Sequence, residues 1–173
     1  MLGMINPMLD ISEVEAGLFP LAFTDFDVSE IVREACELFQ PVAEDGNIRI
    51  VEQTSSNIFM RGDLLKVQRT VSNILDNALK YTPAGGKVTV AVHEEGGVIL
   101  ISIRDTGIGI HSSDLPRVFD RFFRGDQSRS HPGSGLGLAL VRRIIELHGG
   151  SINVLSRPDQ GTMVRIHLPI SSS

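Results

Sequence analysis

Residues 73–110 read NILDNALKYTPAGGKVTVAVHEEGGVILISIRDTGIGI, and the change of period along this stretch decides the fold class. It opens inside a helix that Asp63 can cap, in which Leu64, Val67, Val71, Ile74, Leu75, Ala78 and Leu79 share one face until Pro83 and two glycines stop it. The period then drops to two. Val88, Val90 and Val92 alternate with polar residues, Gly96-Gly97 turns the chain, and residues 98–103 return as the second strand of a hairpin.

On the N-terminal side, Asp27 and Glu30 form a capping box ahead of Val28, Ile31, Val32, Ala35, Leu38, Phe39 and Val42, an amphipathic helix that Gly46 ends. Ile48 and Ile50 follow as a strand. Residues 1–17 place Leu2, Ile5, Leu9 and Val14 at near-helical spacing, with Gly17 as the stop. On the C-terminal side, residues 106–132 are polar and turn-rich apart from the short apolar patch 118–123, and so long a connection in a small domain is either a functional lid or a sign of a misassigned element. A third helix over 136–148 ends at Gly149-Gly150. Strands at 151–155 and 162–168 flank the turn Pro158-Asp159-Gln160-Gly161. Hairpin-linked strands with helices between them predict an α+β, two-layer sandwich: a mixed, mostly antiparallel sheet covered by helices on one face.

A chain of 173 residues, 42% hydrophobic, fits one main domain with a short appendage. Aromatics make up 5% with no Trp, and the net charge is -5, which together argue against nucleic acid as a partner. The single Cys36 sits among Ala35, Leu38 and Phe39 as a small apolar filler. No apolar run reaches the length of a membrane span and no signal peptide is evident, so the expected location is cytoplasmic, with a membrane-anchored parent protein still open.

Chemistry-bearing residues gather in three places. On the helix before Pro83, Asn73, Asn77, Lys80 and Tyr81 fall in one arc opposite the apolar face. A solvated face would look similar, but two amides one turn apart are poor helix formers chosen without need, and an amide oxygen suits Mg²⁺ beside phosphates. Asp105 ends a hydrophobic strand, and Gly107 and Gly109 after it let a ligand approach the backbone; the same Asp-x-Gly-x-Gly is also an ordinary turn. Gly133, Gly135 and Gly137 open the third helix, whose N-terminal N–H groups can hold phosphate. A dinucleotide fingerprint does not fit, because the spacing is G-x-G-x-G after a polar loop and Asn153 stands at the acidic position. No Lys-Ser or Lys-Thr pair follows the glycines, so a Walker loop does not fit either.

Taken in order, these strings resemble the catalytic ATP-binding domain of sensor histidine kinases, in the superfamily that includes the ATPase domains of type II topoisomerases such as DNA gyrase, the Hsp90 chaperones and MutL. NILDNALKYTP (73–83) resembles its asparagine box, DTGIGI (105–110) and GSGLGLAL (133–140) its two glycine boxes, FDRFFR (119–124) its phenylalanine box, and GTMVRIHLP (161–169) its closing strand. The likeness runs from Phe26 to Pro169 and implies a Bergerat-type fold, with ATP and Mg²⁺ as cofactors. It implies that Asn77 coordinates Mg²⁺, that Asn73 supports that ion, and that Lys80 and Tyr81 flank the phosphates and ribose. Asp105 would accept from the adenine amino group, joined by Thr162 through a water, with Gly107, Gly109 and Ile110 lining the base. Gly133, Gly135, Leu136, Gly137 and Leu138 would hold the phosphates. Arg124 would approach the γ-phosphate or the acceptor domain, and Phe119 and Phe122 would anchor the lid; plain core packing is the other reading of the two Phe residues.

The same resemblance divides the chain. ISEVEAG (11–17) is similar to the end of a dimerisation and phosphoacceptor helix, so residues 1–18 are expected to be that helix's remnant with its linker, 19–170 the catalytic domain and 171–173 a disordered tail. None of the five histidines resembles an acceptor; His93-Glu94 has the right dipeptide but falls on the predicted hairpin. The family's ATPases carry a Glu one turn before the Mg²⁺-binding Asn, where this chain has Asn73, which cannot accept a proton. The implied activity is therefore transfer of the γ-phosphoryl to a histidine on a separate domain, with Asn73, Lys80 and Arg124 at the reacting end. A response regulator would act downstream, and the isolated chain would be a monomer or weak dimer. A stand-alone ATPase and a non-catalytic nucleotide-binding module are the alternatives.

Overall fold

In the computed structural model, which describes residues 20–121, 123–125 and 137–171, the alternation in the sequence becomes the inner face of a five-stranded sheet. Its strands are β2 (Arg49–Thr54), β4 (Lys87–Glu95), β5 (Val98–Asp105), β6 (Ser151–Ser156) and β7 (Thr162–Pro169), in the order β2-β4-β5-β7-β6. The β2–β4 pair is parallel and the other three pairs are antiparallel. Val88, Val90 and Val92, then Ile99, Ile101 and Ile103, then Val164, Ile166 and Leu168 all point to one side and are buried. Three helices cover that side: α1 (Val28–Asp45), α2 (Leu64–Lys80) and α3 (Gly137–Leu147). Each contributes a stripe, such as Val67, Val71, Ile74, Leu75, Ala78 and Leu79 from α2. Burying each large aliphatic side chain contributes roughly 1.5–3 kcal/mol. The mixed, mostly antiparallel sandwich expected from the periods is the one observed.

Both expected cap residues cap their helices, although among the described residues Glu30 does not return the capping-box bond to Asp27. Asp27 Oδ1 accepts from Ser29 N–H at 2.9 Å to start α1, and Asp63 Oδ1 accepts from Lys66 N–H at 3.1 Å to start α2. Cys36 packs into the core as a filler, where burial, with Glu52 and Glu37 adding to it, pushes its thiol up to about 11. Two strands were not anticipated: β1 (Phe23–Asp27) and β3 (Phe59–Asp63) pair antiparallel as a second, two-stranded sheet. Their sequences, FTDFD and FMRGD, carry no clean alternation. The strand expected around Ile48 and Ile50 begins at Arg49, and β5 runs on to Asp105.

His148, at the C-terminal end of α3, ties these parts together. It is 1% exposed. Its Nε2 accepts from Asp63 N–H at 3.0 Å, and its Nδ1 donates to the Ile144 carbonyl at 2.7 Å, so the ring carries its proton on Nδ1. The Phe23 ring tilts against it with centroids 5.6 Å apart. Asp63 also accepts from Ala22 N–H through Oδ2 at 2.9 Å, so one joint connects β1, β3, the start of α2 and the end of α3. Gly62 leaves space for the ring: a Cβ there would stand 2.9 Å from His148 Cδ2.

His148→Ala should cost about 2–4 kcal/mol, from a lost buried ring and an orphaned Asp63 N–H. Gly62→Ala should cost about 1–3 kcal/mol by overpacking against a ring that is pinned at both nitrogens. In urea unfolding, the two changes together should cost less than their sum, because the smaller residue at 148 makes room for the methyl. Strict additivity would mean that Gly62 and His148 do not share this space.

Candidate functional site

The site begins where the apolar layers of the sheet run out. Val154, Val164, Ile103 and Val90 stand side by side across four strands on the helix-covered face. One step along, the same face carries Ser156, Thr162 and Asp105. Asp105 is 7% exposed, so its carboxylate has lost most of its water. Oδ1 replaces that water with two backbone donors, Gly107 N–H at 2.8 Å and Thr162 N–H at 3.1 Å. Burial nevertheless dominates and raises its pKa above the ordinary 3.8, with the two backbone bonds opposing the rise. Among the described residues no hydrogen bond reaches Oδ2, which is left to accept from solvent or a ligand.

The loop after Asp105 is held from two sides. Ile108 N–H donates to the Tyr81 carbonyl at the end of α2, at 3.1 Å, and Asp159 N–H in the β6–β7 turn donates to the Ile108 carbonyl at 2.8 Å. Ile110 N–H donates to Ser156 Oγ at 2.8 Å. Gly109, at φ 71°, and Gly161, at φ 80°, make this packing achievable: a Cβ on the first would collide with the Arg157 carbonyl, and on the second with the Asp105 carbonyl. A Cβ on Gly107 would meet the Tyr81 carbonyl. Gly107 and Gly109 were expected to leave room for a base; the position a Cβ would take on each is met by the protein's own backbone.

The exposed side of α2 faces away from its buried stripe and carries Asn73, Asn77 and Lys80, all half-buried, with Tyr81 as the cap residue. Tyr81 N–H donates to the Asn77 carbonyl at 3.1 Å, so the helix end and the loop at Ile108 meet on one residue. Lys80 Nζ lies 2.8 Å from Asp76 Oδ2, one turn back. Asp76 was not among the residues read from the sequence, although an acid four places before a Lys is a helix-pair signal. Ser156 also escaped notice; its spacing from Ile152 and Val154 would have placed it on the inner face.

The remaining sequence candidates lie further along the chain. A 3-10 turn at Leu115–Arg117 punctuates the expected lid, and Arg142 of α3 sits 5.5 Å over the Phe119 ring. Arg124 is half-buried beside Gly125, where a Cβ would stand 3.0 Å from Asp114 Oδ2. Gly137 is the first residue of α3, and Leu138 is half-buried in its first turn. Gly133, Gly135, Leu136, Phe122 and the helix remnant expected at 1–18 lie outside the described residues. His93 lies on β4, in the hairpin where the sequence placed it.

Asp105 makes a pH signature. Because its folded pKa is raised, it adds stability only when protonated: fully below 3.8, and progressively lost as pH rises through the raised value. Asp105→Asn, which keeps an acceptor for Gly107 and Thr162 but carries no charge, should therefore be at least as stable as wild type at pH 7 in urea unfolding. The difference should shrink as pH falls toward 3.8. A gap independent of pH would mean that burial of the charge is not its cause.

Comparison with known proteins gives one consistent picture. The family described as histidine kinase-, DNA gyrase B-, and HSP90-like ATPase matches residues 62–172. The chain is 36% identical over 168 residues to the sensor-like histidine kinase SenX3 of Mycobacterium tuberculosis, covering 96% of this chain and 41% of that protein. It is 36% identical over 172 residues to the histidine protein kinase DivJ of Caulobacter vibrioides, covering 98% of this chain and 29% of that one. It therefore spans less than half the length of these kinases. The mycobacterial sensor histidine kinase MprB superposes with a TM-score of 0.78 at 34% identity, over 87% of this chain and 100% of that structure. Full-length ShkA in complex with AMPPNP superposes at 0.86 and 27% identity, over 97% of this chain and 35% of that one. The protein belongs to the histidine kinase-, DNA gyrase B-, and HSP90-like ATPase family, and the relatives it resembles here are histidine kinases.

Proposed function

We propose that this chain binds Mg²⁺-ATP and transfers the γ-phosphoryl group to a histidine on a separate dimerisation domain. The observation that carries this reading is the buried Asp105 carboxylate, with Oδ1 spent on two backbone bonds and Oδ2 left to accept. A buried acceptor-only group beside a loop pinned to α2 suits the amino edge of adenine and repels the carbonyl of guanine. The ShkA structure, solved with AMPPNP, supports a nucleotide at this fold.

The donor set fits Mg²⁺ rather than a metal caged by protein. Among the described residues no group of three or more His, Cys, Asp or Glu could hold a metal ion. Mg²⁺ commonly keeps its waters and takes phosphate oxygens, needing only one or two protein ligands, and the Asn77 amide supplies a hard neutral oxygen on the accessible side of α2. When bound, the ion would neutralise phosphate charge. Lys80 would turn from Asp76 toward the phosphates, and Tyr81 would border the ribose. Phosphoryl transfer needs positioning more than covalent chemistry from the protein. Asn73 has no basic atom to activate water, so ATP would wait until an imidazole is brought to it. The acceptor domain and a response regulator are the partners this implies.

Calorimetry with Mg²⁺ should show ATP bound at least about tenfold more tightly than GTP, with Asp105→Ala losing about ten- to a hundredfold for ATP, as expected for a hydrogen bond to a charged group. Equal affinity for the two nucleotides would remove the adenine assignment. Asn77→Ala should abolish the Mg²⁺ dependence of binding while its unfolding midpoint stays near wild type, since the residue lies off the buried stripe.

Incubated alone with labelled ATP, the chain should neither label itself nor hydrolyse ATP rapidly. An acceptor domain added in trans should take label weakly, because the high effective concentration of a covalent link is missing. The product should be acid-labile and base-stable, as a phosphoramidate is. Binding without transfer to any acceptor would favour a regulatory nucleotide-binding module.

A further inference from the structure

Ser156 has no part in the reading above, yet its hydroxyl is the most fully used polar group near Asp105. Its Oγ lies 2.9 Å from the Gly161 carbonyl, 2.8 Å from Ile110 N and 2.7 Å from Thr162 Oγ1. The direction of each bond can be assigned by elimination. A carbonyl has no proton to give, so the single Ser156 proton goes to Gly161. Ile110 N–H can only donate, which takes one of the two Ser156 lone pairs. One lone pair remains for Thr162, and the contact is a hydrogen bond only if Thr162 donates.

The Thr162 hydroxyl is therefore left with lone pairs and no free proton. Its backbone N–H is also spent, on Asp105 Oδ1. Thr162 and Asp105 thus stand side by side as acceptors, and protons that satisfy them must come from a ligand or from water. We infer that Ser156 is a positioning residue for base selection, which locks the Thr162 hydroxyl as an acceptor and so favours a purine with an amino group at position 6 over one with a carbonyl there. This deepens the proposed nucleotide reading and rests on it.

The test compares ATP with inosine triphosphate, which carries a carbonyl at position 6, by calorimetry on the whole chain with Mg²⁺. Wild type should prefer ATP. In Ser156→Ala the Thr162 proton is free to turn toward the ligand, so ATP affinity should fall while inosine triphosphate affinity holds or rises. The preference should narrow about five- to tenfold, the scale of one hydrogen bond reversed. Ser156→Thr keeps the hydroxyl and should restore the wild-type ratio. A Ser156 that merely braces the turn would weaken both nucleotides by the same factor, and that result would overturn the inference.

Thr162→Val supplies an independent arm if Ser156→Ala does not fold, since it removes the hydroxyl at nearly constant shape. It should narrow the preference by itself, and an unchanged ratio would overturn the inference. Where both variants fold, Ser156→Ala should add no further narrowing in the Thr162→Val background. A wild-type chain that binds ATP no better than inosine triphosphate would instead remove the adenine reading beneath the proposal.

Discussion

A carboxylate withdrawn from water at the end of an apolar strand must be compensated where it stands, and at Asp105 the compensation comes from the backbone of two other segments. Gly107 N–H belongs to the loop that follows, and Thr162 N–H to the first residue of β7. The two bonds fix where the loop leaves the sheet, and the loop in turn meets Tyr81 on α2 and Asp159 in the β6–β7 turn. The rest of the site is arranged around that one buried group. Its desolvation opposes stability at neutral pH, and the large core under α1, α2 and α3 offsets it.

What could be read from the sequence was what local physics decides. The α2 stripe from Val67 to Leu79, its cap at Asp63 and the turn at Gly96-Gly97 depend on neighbours within a few positions, and they appear where the periods put them. The pairing of β1 with β3 spans more than thirty residues and joins two short strands rich in charge, so no period announces it. His148 looked like an ordinary helix end, because its partner, Asp63 N–H, lies 85 positions away.

The site shows the same division. Asp105 and the amides of α2 stand out as residue types out of place, a carboxylate after an apolar strand and two Asn residues on a helix. Ser156 does not, since a serine before a turn is common and its role requires Ile110, Gly161 and Thr162 to converge on it. The pairing of Lys80 with Asp76 likewise becomes informative only once both are seen on the side of α2 that carries Asn73 and Asn77. One helix thereby serves two purposes that hardly compete: its inner stripe builds the core, and its outer side carries Asn73, Asp76, Asn77 and Lys80.

The close backbone approaches at Gly109 and Gly161 bear on how the protein would look in a mutational survey. Any side chain at Gly109 must push the Arg157 backbone aside, and any at Gly161 must push aside the backbone of Asp105, the residue whose carboxylate anchors the site. On the proposed nucleotide reading, a substitution there would weaken binding without removing any atom that the nucleotide touches, and so would carry the same phenotype as a ligand contact. A tolerance map read on that proposal would outline a pocket larger than the one the nucleotide touches, with its extra margin drawn by two glycines whose neighbours are the protein itself.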